Sequence, residues 1–184
     1  MMSASTMLDV LSAAQAHGGT PTRWADDVAE IVLRRVSGTV AFETESYTAA
    51  DRSLVFLGSA AGNGRSREIT RTGHESLSAD DCREIYETSN FARTSRSFFR
   101  GTPPPELLEG MTREGIGDIL GVVQPQLDRR KALCFTVLLA IGVRTDARLC
   151  RSWGTLVRHL GALAEARSWL EQGDGDAALA GGLG

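Results

Sequence analysis

Two neighbouring stretches decide the fold: Ala132–Val143, ALCFTVLLAIGV, and Asp146–Glu171, DARLCRSWGTLVRHLGALAEARSWLE. The first is apolar along its length. Its shortness and its β-branched residues favour a buried strand, although periodicity alone leaves a buried helix open. Asp128-Arg129-Arg130-Lys131 reads as the turn before it. The second is helical. Leu149, Trp153, Leu156, Leu160, Leu163 and Leu170 form one apolar stripe, and Arg148, Arg151 and Arg158 lie opposite. From Trp153 the stripe advances in alternating steps of three and four, with Arg167 interrupting it. Two roles are open to it. It can cover the sheet, or Trp153, Leu156, Leu160 and Leu163 can form the seam of a homodimer.

Working outward, Thr6–His17 reads as a first helix stopped by Gly18-Gly19. Thr20-Pro21 opens a second helix, with Thr20 as N-cap and Pro21 at the first helical position. Trp24, Val28, Ile31, Val32 and Val36 recur along it, and Gly38 ends it. TVAFETESY, Thr39–Tyr47, alternates, with Val40 and Phe42 inward and Glu43 and Glu45 outward. Ser53–Ser59 is a second strand whose inner face is ambiguous, because Leu54/Phe56 and Val55/Leu57 are both apolar. The polar residues between the two make them an antiparallel hairpin. Gly58–Gly73, rich in glycine and charge, is expected to be an exposed loop. Ser78-Ala-Asp-Asp81 caps a third helix running to about Ser89. Phe91–Gly101 follows as an arginine- and serine-rich connector, and Pro103-Pro104-Pro105 is stiff and extended. Glu106–Glu114 is a short helix and Gly115–Gln124 a strand. This order gives an α+β chain: an antiparallel sheet, helices gathered on one face, and a long C-terminal helix.

Composition narrows the function. The chain has 184 residues, 42% apolar and 23% charged, which suits one globular domain and not a disordered polymer. A net charge of −3 excludes bulk electrostatic attraction to nucleic acid or to an acidic membrane as the driving force. The longest apolar run falls short of the about 20 residues that span a bilayer, and MMSASTMLDVL has no basic flank of a secretory signal. Cys82, Cys134 and Cys150 are an odd set without a CxxC pair, so a reducing cytoplasm is expected. All basic residues but Lys131 are arginine, which reads as coding bias.

Four stretches carry a family likeness: GGTPTRWADDVAEIVLRRV, VAFETESYTAADRSLVFLGS, CREIYETSNFARTS, and the segment from Gly115 to Leu170. Together they resemble the N-terminal GAF-like sensory region of LuxR-type helix-turn-helix transcription regulators. The resemblance implies a GAF-like domain over 19–171, preceded by an N-terminal helix (1–18) and followed by a flexible tail (172–184). It also implies an unknown small molecule or protein as partner, bound between the sheet and residues 82–125, with the signal leaving through the long helix. That family reads DNA with a further domain of four helices, and nothing in this sequence matches one. DNA binding is therefore expected only through a domain outside these residues. Either they are the sensory half of a longer regulator, or they form a stand-alone binding module.

The chemistry-bearing residues point the same way. Glu43 and Glu45, two apart on one strand, could be an acid–base pair, but the alternation favours a solvated face. His17, His74 and His159 have no ligand spacing with any cysteine, so no metal or cofactor is expected. Cys134 reads as a small buried hydrophobe, and Cys82 and Cys150, near arginines, as oxidation sensors at most. Gly62-Asn63-Gly64 and Gly115-Ile116-Gly117 lack phosphate-loop spacing. Arg93, Arg96 and Arg100 beside Phe91, Phe98 and Phe99 suit an ion-paired lid better than a single-strand nucleic-acid site. A catalytic site is not expected, though a small enzyme using a cysteine or histidine is the remaining alternative. The candidate ligand-binding residues are Phe42, Phe56, Tyr86, Phe91 and Phe98.

Overall fold

A computed structural model describes residues 2–16, 20–61, 65–87, 92–125 and 130–181, with the side chains of the last helix described as far as Arg167. Helices α1 (Ala4–Ala16) and α2 (Pro21–Arg35) lead into the hairpin β1 (Thr39–Thr48) and β2 (Ser53–Ala61). The middle of the chain is α3 (Ser66–Glu75), α4 (Ala79–Cys82), a π-helical turn (Arg83–Glu87), β3 (Ala92–Thr94), α5 (Ser95–Phe98) and α6 (Pro105–Arg113). Strands β4 (Ile116–Pro125) and β5 (Lys131–Ala140) precede α7 (Ala147–Gly181). The five strands form one antiparallel sheet in the order β2-β1-β5-β4-β3.

The apolar run 132–143 is the buried strand that its composition indicates. β5 lies at the sheet centre, and its side chains divide between two cores. Phe135, Val137 and Leu139 face α1, α2 and α7, while Cys134 and Leu138 face the short helices. This explains an unbroken apolar sequence: both faces are covered. The three long helices gather on one face as expected. Thr20 caps α2, accepting from the Arg23 amide at 3.3 Å. The Trp24 indole donates to the Ala14 carbonyl at 2.9 Å and ties α1 to α2. Trp153, Leu156 and Leu160 of α7 are fully buried in this same core, with Trp153 stacked on Phe42 at 5.9 Å. Placed there, the stripe covers the chain's own sheet, and these three residues cannot also form a dimer seam. Leu163 packs partly buried against the same cluster. α7 continues past Glu171 to Gly181, across the segment expected to fray.

The opposite face departs from the sequence reading. In place of an exposed loop over Gly58–Gly73, β2 runs to Ala61 and α3 begins at Ser66. Its Ile69 and Thr70 face the sheet, a short amphipathic pattern hidden among arginines, serines and threonines. The expected third helix is also different. Ser78 and Asp81 form the anticipated capping box, but after Cys82 the backbone widens into the π-helical turn. Its predicted end, residues 88 and 89, lies outside the described residues, as do His17, Gly62-Asn63-Gly64, Phe91 and Asp128.

Candidate functional site

The site begins with β1. Ala41, Glu43, Glu45 and Tyr47 point to the face covered by the short helices, and Phe42 points to the other. Glu43 and Glu45 do share a face, as alternation requires, but that face is not solvated. Both are 0% exposed, because α3 and the π-helical turn close over the strand. A hydrophobic alternation cannot distinguish a wet face from one roofed by later elements. Between Thr44 and Glu45 the β1–β2 register shifts: Thr44 pairs with Gly58 and Glu45 with Phe56. Such bulges re-aim side chains and recur beside functional sites.

A cavity of about 60 Å³, space for a few waters, lies over the sheet at this point. Glu45, Val123 and Cys134 line it from the sheet, His74 from α3, and Tyr86 from the π-helical turn. Phe98 of α5 lies across Gly121 of β4. A Cβ on Gly121 would stand 2.4 Å from the tip of the Phe98 ring, so this glycine is what lets the ring come so close to the sheet. The lining is mainly apolar, with a few convergent polar groups, which is the make-up of small-molecule sites.

The polar groups are ordered. Tyr86 stacks on Tyr47 at 4.2 Å. The His74 Nε2 lies 3.0 Å from the Arg52 carbonyl and must therefore carry the proton. In the neutral ring, Nδ1 then accepts from the Tyr86 hydroxyl at 3.1 Å. Glu43 accepts from the Thr70 hydroxyl at 2.5 Å. Glu45 accepts at 3.3 Å from Thr136, and its second oxygen, Oε1, has no partner. Burial pushes the Glu45 carboxyl well above the usual carboxylate range, and the neighbouring Glu43 pushes it further. Burial raises Glu43 too, against the opposing pull of Ser66, Thr70 and the Arg67 guanidinium. The Tyr47 phenol is pushed up to about 12, chiefly by desolvation.

An ion-paired strap holds the lid segment. Arg93 meets Glu84 at 2.9 Å, and Arg100 meets Glu84 at 3.1 Å and Asp81 at 3.3 Å. The hydrogen bond from Arg93 holds the Glu84 carboxyl below its usual range. Asp118 of β4 is a buried acid whose two oxygens both have partners. Its Oδ1 accepts from the Ser95 amide and hydroxyl and from the Ile119 amide, at 3.2, 2.7 and 2.8 Å. Its Oδ2 accepts from Thr145, just before α7, at 2.7 Å. One side chain thus fastens the start of α5 to the approach of the long helix.

Of the residues proposed from sequence, Tyr86 and Phe98 meet in this cavity. Phe42 does not. It points into the opposite core, between Phe135 and Trp153. Phe56 lies outside the cavity, beneath the Arg67 and Arg71 guanidinium groups at 5.6 and 6.0 Å. Phe91 is outside the described residues. Thr136 and Asp118 were missed, while Glu45 and His74 were weighed but assigned to a solvated strand face and an exposed loop. Cys134 is buried, and Cys82 and Cys150 have thiols raised by desolvation, which opposes thiolate reactivity. Among the described residues, no three histidine, cysteine or acidic side chains group as a metal site, and no helix is long and apolar enough to cross a membrane.

No family model matches the chain, and no curated protein matches it in sequence. Solved structures match it in shape. The N-acylhomoserine lactone dependent LuxR family transcription factor CepR2 from Burkholderia cenocepacia superposes with a TM-score of 0.59 at 9% identity, over 88% of this chain and 92% of that one. The phycocyanobilin-bound GAF domain of a cyanobacterial phytochrome gives 0.55 at 14% identity, over 86% and 94%. SdiA in complex with octanoyl-rac-glycerol gives 0.58 at 10% identity, over 89% of this chain and 66% of SdiA. At these identities the likeness is one of architecture: the chain has an α+β, GAF-like fold.

Proposed function

We propose that this chain is a non-catalytic sensory domain that binds a small molecule over the sheet face beneath Tyr86 and Phe98. The observation that carries the reading is the mainly apolar cavity, roofed by a strapped segment and walled by a few ordered polar groups. The shape neighbours favour it, since CepR2 depends on an acylhomoserine lactone and SdiA has been captured with octanoyl-rac-glycerol. Those neighbours also favour the finer reading, a cytoplasmic ligand-sensing half of a LuxR-type transcription regulator. Asp118 supplies a route for the signal. A ligand that lifts Phe98 shifts Ser95, and the carboxylate shared with Thr145 carries that shift toward α7.

The test is the melting temperature of the purified chain in the presence of small-molecule fractions from its own host. Binding to the folded state alone raises stability by about 2.7 kcal/mol at a hundredfold excess over Kd. At least one fraction should raise the melting temperature. If none does, the sensory reading fails.

A further inference from the structure

We propose that the occupant of this cavity carries a protonated amine on an apolar body and that Glu45 is the group that recognises it. This rests on the ligand-binding reading above and specifies the ligand's chemistry. The argument starts from the contrast between two buried carboxyls. Both oxygens of Asp118 accept hydrogen bonds from surrounding groups, so that side chain is a completed structural joint. Glu45 is 0% exposed, lines the cavity, and keeps one oxygen without a partner. A buried carboxyl left half-satisfied costs stability. Glu43 also keeps one oxygen without a partner, but it does not line the cavity, so Glu45 is the one of the two that a ligand in the cavity reaches.

The surroundings set the sign of that ligand. The titratable groups around Glu45 are Glu43 on its own strand, Cys134 on β5, Tyr86 on the π-helical turn and His74 on α3. Among the described residues, no arginine or lysine lines the cavity. The Arg67 guanidinium acts on Glu43 and pairs with the Ser59 hydroxyl. A second carboxyl, Glu43, is thus the nearest acidic neighbour, and the polar end of the cavity is suited to a cation. Tyr86 and Phe98 also line the cavity, and aromatic ring faces attract ammonium groups. The apolar remainder of the lining, Leu54, Ile85, Val123 and Leu107, suits a short alkyl or aryl body once Phe98 is lifted, since the closed cavity holds only a few waters.

Binding would be linked to a proton. Burial, and Glu43 beside it, favour the neutral form of Glu45 in the empty domain. On binding, the neutral carboxyl gives its proton to solvent, and the resulting carboxylate meets the ammonium, whose own protons stay on nitrogen. Charge and protons balance with one proton released. The affinity for an amine therefore rises with pH, by up to tenfold per unit, as long as Glu45 is neutral in the free protein.

The experiment is an NMR titration of the full chain with n-hexylamine and with 1-hexanol, on wild type and on E45Q. n-Hexylamine should bind wild type at least about tenfold more tightly than E45Q, the fold-change of one hydrogen bond to a charged group. Hexanol should bind both alike. A second reading needs no variant: hexylamine affinity for wild type rises with pH, and hexanol affinity does not. Equal hexylamine binding to wild type and E45Q, or a flat pH dependence, overturns the amine proposal. Hexanol shifts at Tyr86, Gly121 and Cys134 would in that case leave the cavity as a ligand site. Absence of both probes from those residues would overturn the cavity reading itself.

Discussion

E45Q should make the domain more stable at neutral and alkaline pH while leaving it nearly unchanged in acid. Glu45 is fully buried, its side chain accepts from Thr136, and its carboxyl sits well above the 4.5 of an unperturbed glutamate. A group whose folded-state value is raised contributes its stability below the unfolded value and loses it as pH climbs toward the folded one. From about pH 4.5 upward the unfolded chain ionises Glu45, and the folded chain follows only when the pH reaches its own raised value. Over that window the wild type loses about 1.4 kcal/mol per pH unit from this one residue. Glutamine keeps the shape, still accepts from Thr136 and has no proton to lose. The difference in unfolding free energy should therefore start near zero at the acid end and widen by up to about 1.4 kcal/mol per unit. Urea denaturation of both proteins across the pH range reads it directly. Glu43, also raised, is coupled to Glu45, so its own contribution is read separately from E43Q and from the double variant. Parallel curves would refute the assignment of Glu45 as a buried neutral acid.

The remaining predictions concern packing and coupling. Leu160→Ala removes a fully buried side chain of α7 and should cost about 2–5 kcal/mol by chemical denaturation, without changing the protein's hydrodynamic size. Gly121→Ala drives a methyl into the Phe98 ring and should cost about 1–3 kcal/mol while displacing that ring, seen as a changed near-ultraviolet and aromatic NMR signature. Asp118→Asn leaves at least one of the Ser95, Ile119 and Thr145 donors without its acceptor. It should cost about 1–3 kcal/mol and speed amide exchange at both α5 and the start of α7. Arg100→Ala, by contrast, loosens a strap whose arginine side chain is 70% exposed, and should change stability by no more than about 1 kcal/mol.

The parts of the fold legible in the sequence are those where one pattern served one purpose. The run Ala132–Val143 announced the central strand because both its faces are dry, and the 147–163 stripe announced α7 because one side meets the sheet. Thr20-Pro21 and Ser78–Asp81 marked helix starts because capping is local chemistry. The second face was not legible. Its cover is made of short helices whose apolar residues are few, and Ile69 and Thr70 among arginines read as loop. That error propagated to Glu43 and Glu45, whose burial depends on α3 lying over them. Tyr86 and Phe98 were found because aromatic residues in the middle segment have few places to go except onto the sheet. Phe42 was misplaced because an inward-facing strand residue can belong to either of two cores. Thr136, the one hydroxyl inside the apolar run, was a signal available in the sequence that a polar partner sits beside β5 on the neighbouring strand.

Native mass spectrometry of the chain purified from its own host tests the central claim most directly, with Val123→Phe purified alongside as a cavity-filled control. Val123 lines the cavity and is 4% exposed, so the larger ring takes up the space a ligand would occupy. With both proteins shown folded by circular dichroism, wild type should carry a retained small molecule that the variant lacks. The same added mass on both, or none on either, would contradict a ligand seated between Glu45, Tyr86 and Phe98.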